Sequence, residues 1–263
     1  MAGESRSEPA ALYPDLRGKV ALVTGGSQGI GAETCRLLAA NGVRVALCAR
    51  RAPLVDALVE ELRADGAEAV GFACDASVST EIADVVERVS EQLGSIDILL
   101  PFAGGFSSYT PVERITEEEW RSVVDANLTS TFLTVNAALP DMLERGRGVI
   151  VTMSSNSGRQ LDVPLTVSYA AAKAAIVQFT RHVALELGPR GIRVNCIAPG
   201  TTLTERVDAI MSDELRARIA ALSPLGRFGT AADSAHAAVF LSSDVSSFLT
   251  GVTMDVAGGR VML

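Results

Sequence analysis

The sequence predicts an α/β fold: a single doubly wound parallel sheet of about seven strands with helices on both faces. Three observations lead to it. Apolar, β-branched runs of strand length recur along the chain, helical patterns alternate with them, and no linker or shift in composition divides the 263 residues. Near-continuous apolar runs suit strands covered on both faces, and strand–helix alternation implies right-handed βαβ units.

The expected strands are 19–24, 43–49, 69–74, 96–102, 149–153, 193–197 and 252–256. The expected helices between them are 30–40, 53–64, 79–93, 117–144, 167–187 and 231–241. Gly42, Gly66 and Gly94 follow the first three helices, where a terminal glycine takes positive φ. Thr116 precedes Glu117, Glu118 and Glu119, an N-cap with acid in the first turn. Residues 201–227 follow Pro199-Gly200 and stand outside the alternation, as a lid over a substrate would. Residues 1–15 are polar and read as a flexible extension, which leaves 16–263 as one domain.

Composition narrows the function. With 48% hydrophobic residues the chain can build a large core, and its net charge of −8 lacks a basic stripe for nucleic acid. The N-terminus lacks a signal-peptide core and no apolar run would span a bilayer, so a soluble, cytoplasmic protein without a membrane partner is expected. Cys35, Cys48, Cys74 and Cys196 read as reduced core thiols. His182 and His236 lack ligand spacing, so neither a metal site nor a Ser-His-Asp triad is expected.

Two stretches carry chemistry. After the first strand the chain reads Thr24-Gly25-Gly26-Ser27-Gln28-Gly29-Ile30-Gly31. A glycine-rich turn that opens a helix brings backbone N–H groups and the positive end of the helix dipole to a pyrophosphate. Much later, SYAAAKAA sets Tyr169 and Lys173 four residues apart, on one face of a helix. A cation one turn away would favour the phenolate, so Tyr169 could take a proton from an alcohol or give one to a forming alkoxide.

TGGSQGIG and YAAAK together resemble the short-chain dehydrogenase/reductase family, with likeness from Lys19 to Gly259. The resemblance implies a Rossmann-like fold and a nicotinamide cofactor on Gly25, Ser27, Gln28, Gly29, Ile30 and Gly31. Asp75 in CDAS looks like the residue at the adenine, and Ala103-Gly104 lies against the cofactor. Pro199, Gly200 and Thr204 match the segment near the carboxamide. Asn127 in DANLTS and Ser155 in MSSNSG match the active-site asparagine and serine, with Ser154 a rival for the second role. Ser155 would orient the substrate oxygen, Lys173 would hold the ribose, and Asn127 would link Lys173 to solvent through a water.

The second strand ends in Ala49-Arg50-Arg51, without an acid. Arg50 and Arg51 fit a 2′-phosphate, with Arg50 as the main contact, so NADPH is expected over NADH. Pro101-Phe102-Ala103-Gly104 stands where the family has NNAG, so hydrogen bonds of two amides must be absent or supplied elsewhere. Phe102 and Phe106 could wall the nicotinamide, or only pack. Phe106, Leu161 and Leu165, beside Val163 and Pro164, make the expected substrate pocket apolar. The overall pattern looks most like 3-oxoacyl-thioester reductases, although Leu185 stands where a carrier-binding Arg is expected. Arg145, Arg147 and Arg181 remain nearby. The leading expectation is an NADPH-dependent ketone reductase whose substrate is a small molecule, thioester-linked or free. The alternatives are a secondary-alcohol dehydrogenase using NAD(P)+ and a non-catalytic nucleotide sensor or scaffold. The family also implies a homotetramer.

Overall fold

The computed structural model describes residues 13–105, 109–160, 165–203 and 213–262. Seven strands form one sheet: β1 (Val20–Thr24), β2 (Arg44–Ala49), β3 (Ala69–Ala73), β4 (Ile98–Pro101), β5 (Gly148–Met153), β6 (Ile192–Pro199) and β7 (Thr253–Val256). Every pairing is parallel, in the order β3-β2-β1-β4-β5-β6-β7. Helices α1 (Gly29–Ala40), α2 (Ala52–Ala64), α3 (Ser79–Leu93), α4 (Glu117–Val124), α5 (Ser130–Arg145), α6 (Val167–Leu187), α7 (Asp213–Ala220) and α8 (Ala231–Ser242) complete the described regular structure, with short 3-10 turns between. This is the expected doubly wound sheet.

The two-residue period of the strands builds a core on each face. In β1, Ala21 and Val23 pack with Leu38 of α1, Val55 of α2 and Val239 of α8. Val20 and Leu22 turn the other way, into a core with Val85 of α3, Met142 of α5 and Leu187 of α6. Both faces of β1 are covered, which is why its sequence reads as unbroken VALV. Cys35, Cys48, Cys74 and Cys196 are buried and free.

Strand order reverses between β1 and β4, the switch point at which a sheet of this kind forms a crevice outside the carboxyl ends of its strands. The turns after these strands press together. A Cβ on Gly25 would lie 2.9 Å from the Ala103 backbone, and the Ala103 N–H donates to Thr24 Oγ1 at 3.1 Å. That bond answers part of the PFAG question. Pro101 sits opposite Thr24 as the last residue of β4, where its missing N–H interrupts little of the ladder.

The local signals hold at several ends. Gly42, Gly66 and Gly94 take φ of 74°, 87° and 92°, and Thr116 accepts from the Glu119 N–H at 3.1 Å. One expectation fails. Residues 117–144 are not a single α-helix: a π-turn, Asp125–Thr129, separates α4 from α5. Side chains supply what the widened ladder loses. The Asn127 amide donates to Val123 O at 2.8 Å, Ser130 Oγ to Ala126 O at 2.8 Å, and Thr131 Oγ1 to Asn127 O at 2.8 Å. Of the two readings open for Phe102, the structure fits packing. It is 3% exposed and belongs to the core beneath α1 and α8, so it does not wall a pocket. Phe106, Leu161, Val163, Pro164 and Thr204 lie outside the described residues, as do 204–212 of the expected lid. No helix among the described residues is long and apolar enough to cross a membrane.

Candidate active site

The glycine turn at the crevice has almost no room for side chains. A Cβ on Gly26 would lie 2.8 Å from that of Leu47, and one on Gly31 would strike the Gly25 carbonyl. Gly25 and Gly29 take φ of 67° and 55°, and the Gly26 N–H donates to Cys48 O at 3.2 Å, which ties the turn to β2. α1 begins at Gly29, after Gln28 in extended conformation without a side-chain cap. Ser27 and Ile30 are half-buried beside it. Bare backbone at the amino end of a 12-residue helix is a surface that fits a pyrophosphate.

Arg50 and Arg51 are exposed just past β2. Arg51 reaches back to donate to Gln28 Oε1 of the glycine turn. Arg50 faces Asp75, whose carboxyl is held below the ordinary range, first by the Ser77 hydroxyl and also by the Ser77 N–H and the Arg50 charge. Asp75 Oδ1 accepts from Ser77 Oγ at 2.6 Å. Gly200 packs on β7's exit, where a Cβ would lie 2.9 Å from Ala257 Cα.

Across the crevice the structure brings Asn127, Ser155, Tyr169 and Lys173 together. α6 carries Tyr169 and Lys173 one turn apart, with the ammonium 5.6 Å from the ring centroid. Lys173 is 3% exposed, and Nζ donates to Met153 O at the end of β5 at 2.9 Å. Ser155 begins the 3-10 turn Asn156–Gly158 directly after β5; its hydroxyl accepts from the Ser157 N–H at 3.2 Å and hydrogen-bonds Tyr169. Ser154 is otherwise engaged, donating to Lys173 O at 2.6 Å. That separates the two serines: one fastens the helix backbone and one faces the phenol.

Asn127 grips the loop after β4. Its Oδ1 accepts from the Gly105 N–H at 2.9 Å, and its Nδ2 donates to Gly105 O at 2.8 Å. Gly104 takes φ of 150°, and a Cβ there would lie 2.5 Å from Asn127 Oδ1 and 3.4 Å from Lys173 Nζ. The loop from Ala103 to Gly105 is thus stitched to the π-turn between α4 and α5. Sequence reading missed Gly105 and Thr24 as the partners in this stitching, although Gly105 extends the PFAG stretch and Thr24 opens the glycine turn.

The electrostatics differ from the expectation. Burial pushes the Tyr169 phenol above its ordinary value; the residue is half-buried but its oxygen is surrounded by protein, and the Ser155 hydrogen bond pulls only partly the other way. Burial also brings Lys173 down to about 8. Desolvation therefore outweighs attraction between the two groups. Leu165 is half-buried before α6. After Leu203, α7 and residues 226–230 border a groove of about 450 Å³ with Ala217, Ala220 and Phe228 in its lining. Arg145 and Arg147 are corrected: they lie at the amino ends of β4 and β5, the end of the parallel sheet opposite Ser155, and Arg145 is held there by Asp97 at 2.9 Å and Asp141 at 2.9 Å. Arg147, Arg181 and Leu185 are exposed.

This geometry has known counterparts. A family model described as Enoyl-(Acyl carrier protein) reductase matches residues 25–260. A 3-oxoacyl-[acyl-carrier-protein] reductase of Staphylococcus aureus is 37% identical over 245 residues, covering 93% of this chain and 98% of the relative. A cyclohexanol dehydrogenase of Rhodococcus sp. is 38% identical over 260 residues, covering 93% and 96%. A crystal structure of a 3-oxoacyl-[acyl-carrier protein] reductase with bound NAD from Brucella melitensis aligns with TM-score 0.91 at 35% identity, covering 100% of this chain and 99% of that one. The chain belongs to the short-chain dehydrogenase/reductase family of oxidoreductases.

Lys173 gives a pH test of the site. Its folded pKa of about 8 lies below the ordinary 10.5. Between those values the unfolded chain holds the proton more tightly, so stability rises with pH across that window. Urea midpoints of wild type should climb relative to Lys173→Met between pH 8 and 10. Parallel curves would mean the ammonium keeps its ordinary pKa in the fold.

Proposed function

We propose that the chain is an NADPH-dependent ketone reductase. The observation that carries this reading is the pair of hydroxyls, Ser155 and Tyr169, hydrogen-bonded to each other beside a buried Lys173. Two hydroxyls meeting at one point suit a single carbonyl oxygen. Ser155 orients that oxygen, and Tyr169 gives its proton to the alkoxide as it forms. A phenol raised by burial is protonated at neutral pH, the form a proton donor needs. Lys173 holds the ribose hydroxyls and supplies positive charge beneath the phenol. Asn127 keeps the Ala103–Gly105 loop in place and connects Lys173 to solvent through a water. Bound in the crevice, the nicotinamide supplies the hydride.

The glycine turn, Asp75, Ala103, Gly104, Pro199 and Gly200 are the residues that would hold the dinucleotide, with Thr204 assigned by family pattern alone. The absence of an acid after β2 and the presence of Arg50 and Arg51 support the 2′-phosphate. Leu165 and the 201–227 lid form the substrate side, with Phe106 and Leu161 assigned by pattern. The 3-oxoacyl-[acyl-carrier-protein] reductases among the relatives point to a 3-oxoacyl thioester as substrate. Leu185, 75% exposed, stands where the family pattern leads to a carrier-binding Arg, which favours a substrate without a carrier protein. The cyclohexanol dehydrogenase relative supports a second reading, a secondary-alcohol dehydrogenase built from the same residues.

Exposed apolar side chains support self-association. Trp120 and Phe132 on α4 and α5 and Leu185 on α6 are 40%, 49% and 75% exposed. A homotetramer would cover them. Solution scattering should give a tetramer's mass, and a monomer's mass would remove this part of the reading.

Two variants test the chemistry. Tyr169→Phe should still fold and bind NADPH while ketone-dependent NADPH oxidation falls by about 10³-fold or more. Turnover near the wild-type rate in that variant would exclude Tyr169 as the proton donor. Arg50→Ala should weaken NADPH binding by about tenfold or more and leave NADH within about twofold, followed by nicotinamide fluorescence. An equal loss for both cofactors would dissociate Arg50 from the 2′-phosphate.

A further inference from the structure

Arg159 follows directly on the 3-10 turn that Ser155 opens, and its N–H closes that turn by donating to Asn156 O at 2.9 Å. Its side chain leaves the turn and reaches β7, the edge strand of the sheet. There Nε and Nη2 donate to the two oxygens of Asp255, each at 3.0 Å. The two residues are 96 apart in sequence, and their side chains are only 11% and 15% exposed. Asp255 is fixed in turn by the sheet, opposite Ala198 of β6.

A planar fork on a mostly desolvated carboxylate sets orientation as well as distance. The other side of the turn is closed by α6, since a Cβ on Gly158 would lie 2.5 Å from the Lys173 carbonyl carbon. The serine turn is therefore held between the helix that carries Tyr169 and Lys173 and a tether to β7. We propose that Arg159 and Asp255 are a positioning pair that holds Ser155 at hydrogen-bond distance from Tyr169. The proposal rests on the ketone-reductase reading above. Both act through the backbone of 155–159.

Replacing one partner alone would strand a charge in a partly dry site and confuse positioning with folding. The test is the neutral pair Arg159→Met with Asp255→Leu, measured beside wild type and Arg159→Lys. In the neutral pair, amide hydrogen exchange at Ser157 and Gly158 should quicken by about tenfold with a thermal midpoint close to wild type. kcat should fall by about tenfold or more, because a displacement near 1 Å at a reacting group costs that much, while Kd for NADPH stays within about twofold. Arg159→Lys keeps the charge without the fork and should fall between the two. Unchanged exchange and unchanged kcat in the neutral pair would overturn the proposal, as would a loss of NADPH affinity equal to the loss in kcat. If wild type turns over no ketone, the reductase reading falls by itself. The exchange rates at the two amides then decide the tether, and unchanged rates overturn it.

Discussion

The ammonium of Lys173 lies out of water, and the surrounding structure is arranged to make that tolerable. Burying a cation is costly unless oxygen atoms replace its hydration. The carbonyl of Met153 at the end of β5 accepts from Nζ, and the Ser154 hydroxyl holds the lysine's own carbonyl. Gly158 lies flat on its backbone, and Gly104 approaches Nζ so closely that a methyl group would barely fit. Two segments, residues 153–158 after β5 and the loop after β4 at Gly104, converge on one residue of α6. The pairing of β4 with β5 is what brings the Gly104 segment to that meeting point.

Desolvation, rather than attraction between charges, sets the protonation of this centre. Both the phenol and the amine are pushed toward their neutral forms. The site holds its proton on Tyr169. Spacing along a helix suggests the interaction of two side chains but carries no information about how much protein surrounds them. That is why the sequence pointed to a lowered phenol and the structure gives a raised one.

Other parts were legible to different degrees for similar reasons. The seven strands follow from local apolar runs, and their ends move by only a residue or two. The glycine turn was readable because three close backbone approaches, at Gly25, Gly26 and Gly31, each forbid a side chain. The four residues Asn127, Ser155, Tyr169 and Lys173 were readable through family pattern, and the fold places them around one point. The π-turn was not readable, because Glu117 to Glu144 keeps helical periodicity through it and the break depends on where Asn127 sends its amide. Phe102 was ambiguous in sequence because a residue at the end of a strand can face either a core or a pocket. The Arg159–Asp255 pair had no local signal, since its partners come from opposite ends of the folding pattern and meet only when β7 joins β6.

The π-turn has a consequence for how this protein can change over time. Five residues, Asp125–Thr129, occupy a stretch that interrupts an otherwise regular helix. Losing one residue there would give a tidier helix, and each residue of an α-helix turns the face by roughly 100°. Asn127 would swing away from Gly105, and the loop after β4 would lose both of its amide contacts. Stability and the site therefore pull in opposite directions at this position. Single-residue deletions that look harmless by every measure of helix quality are closed to the lineage for as long as the loop has to be held.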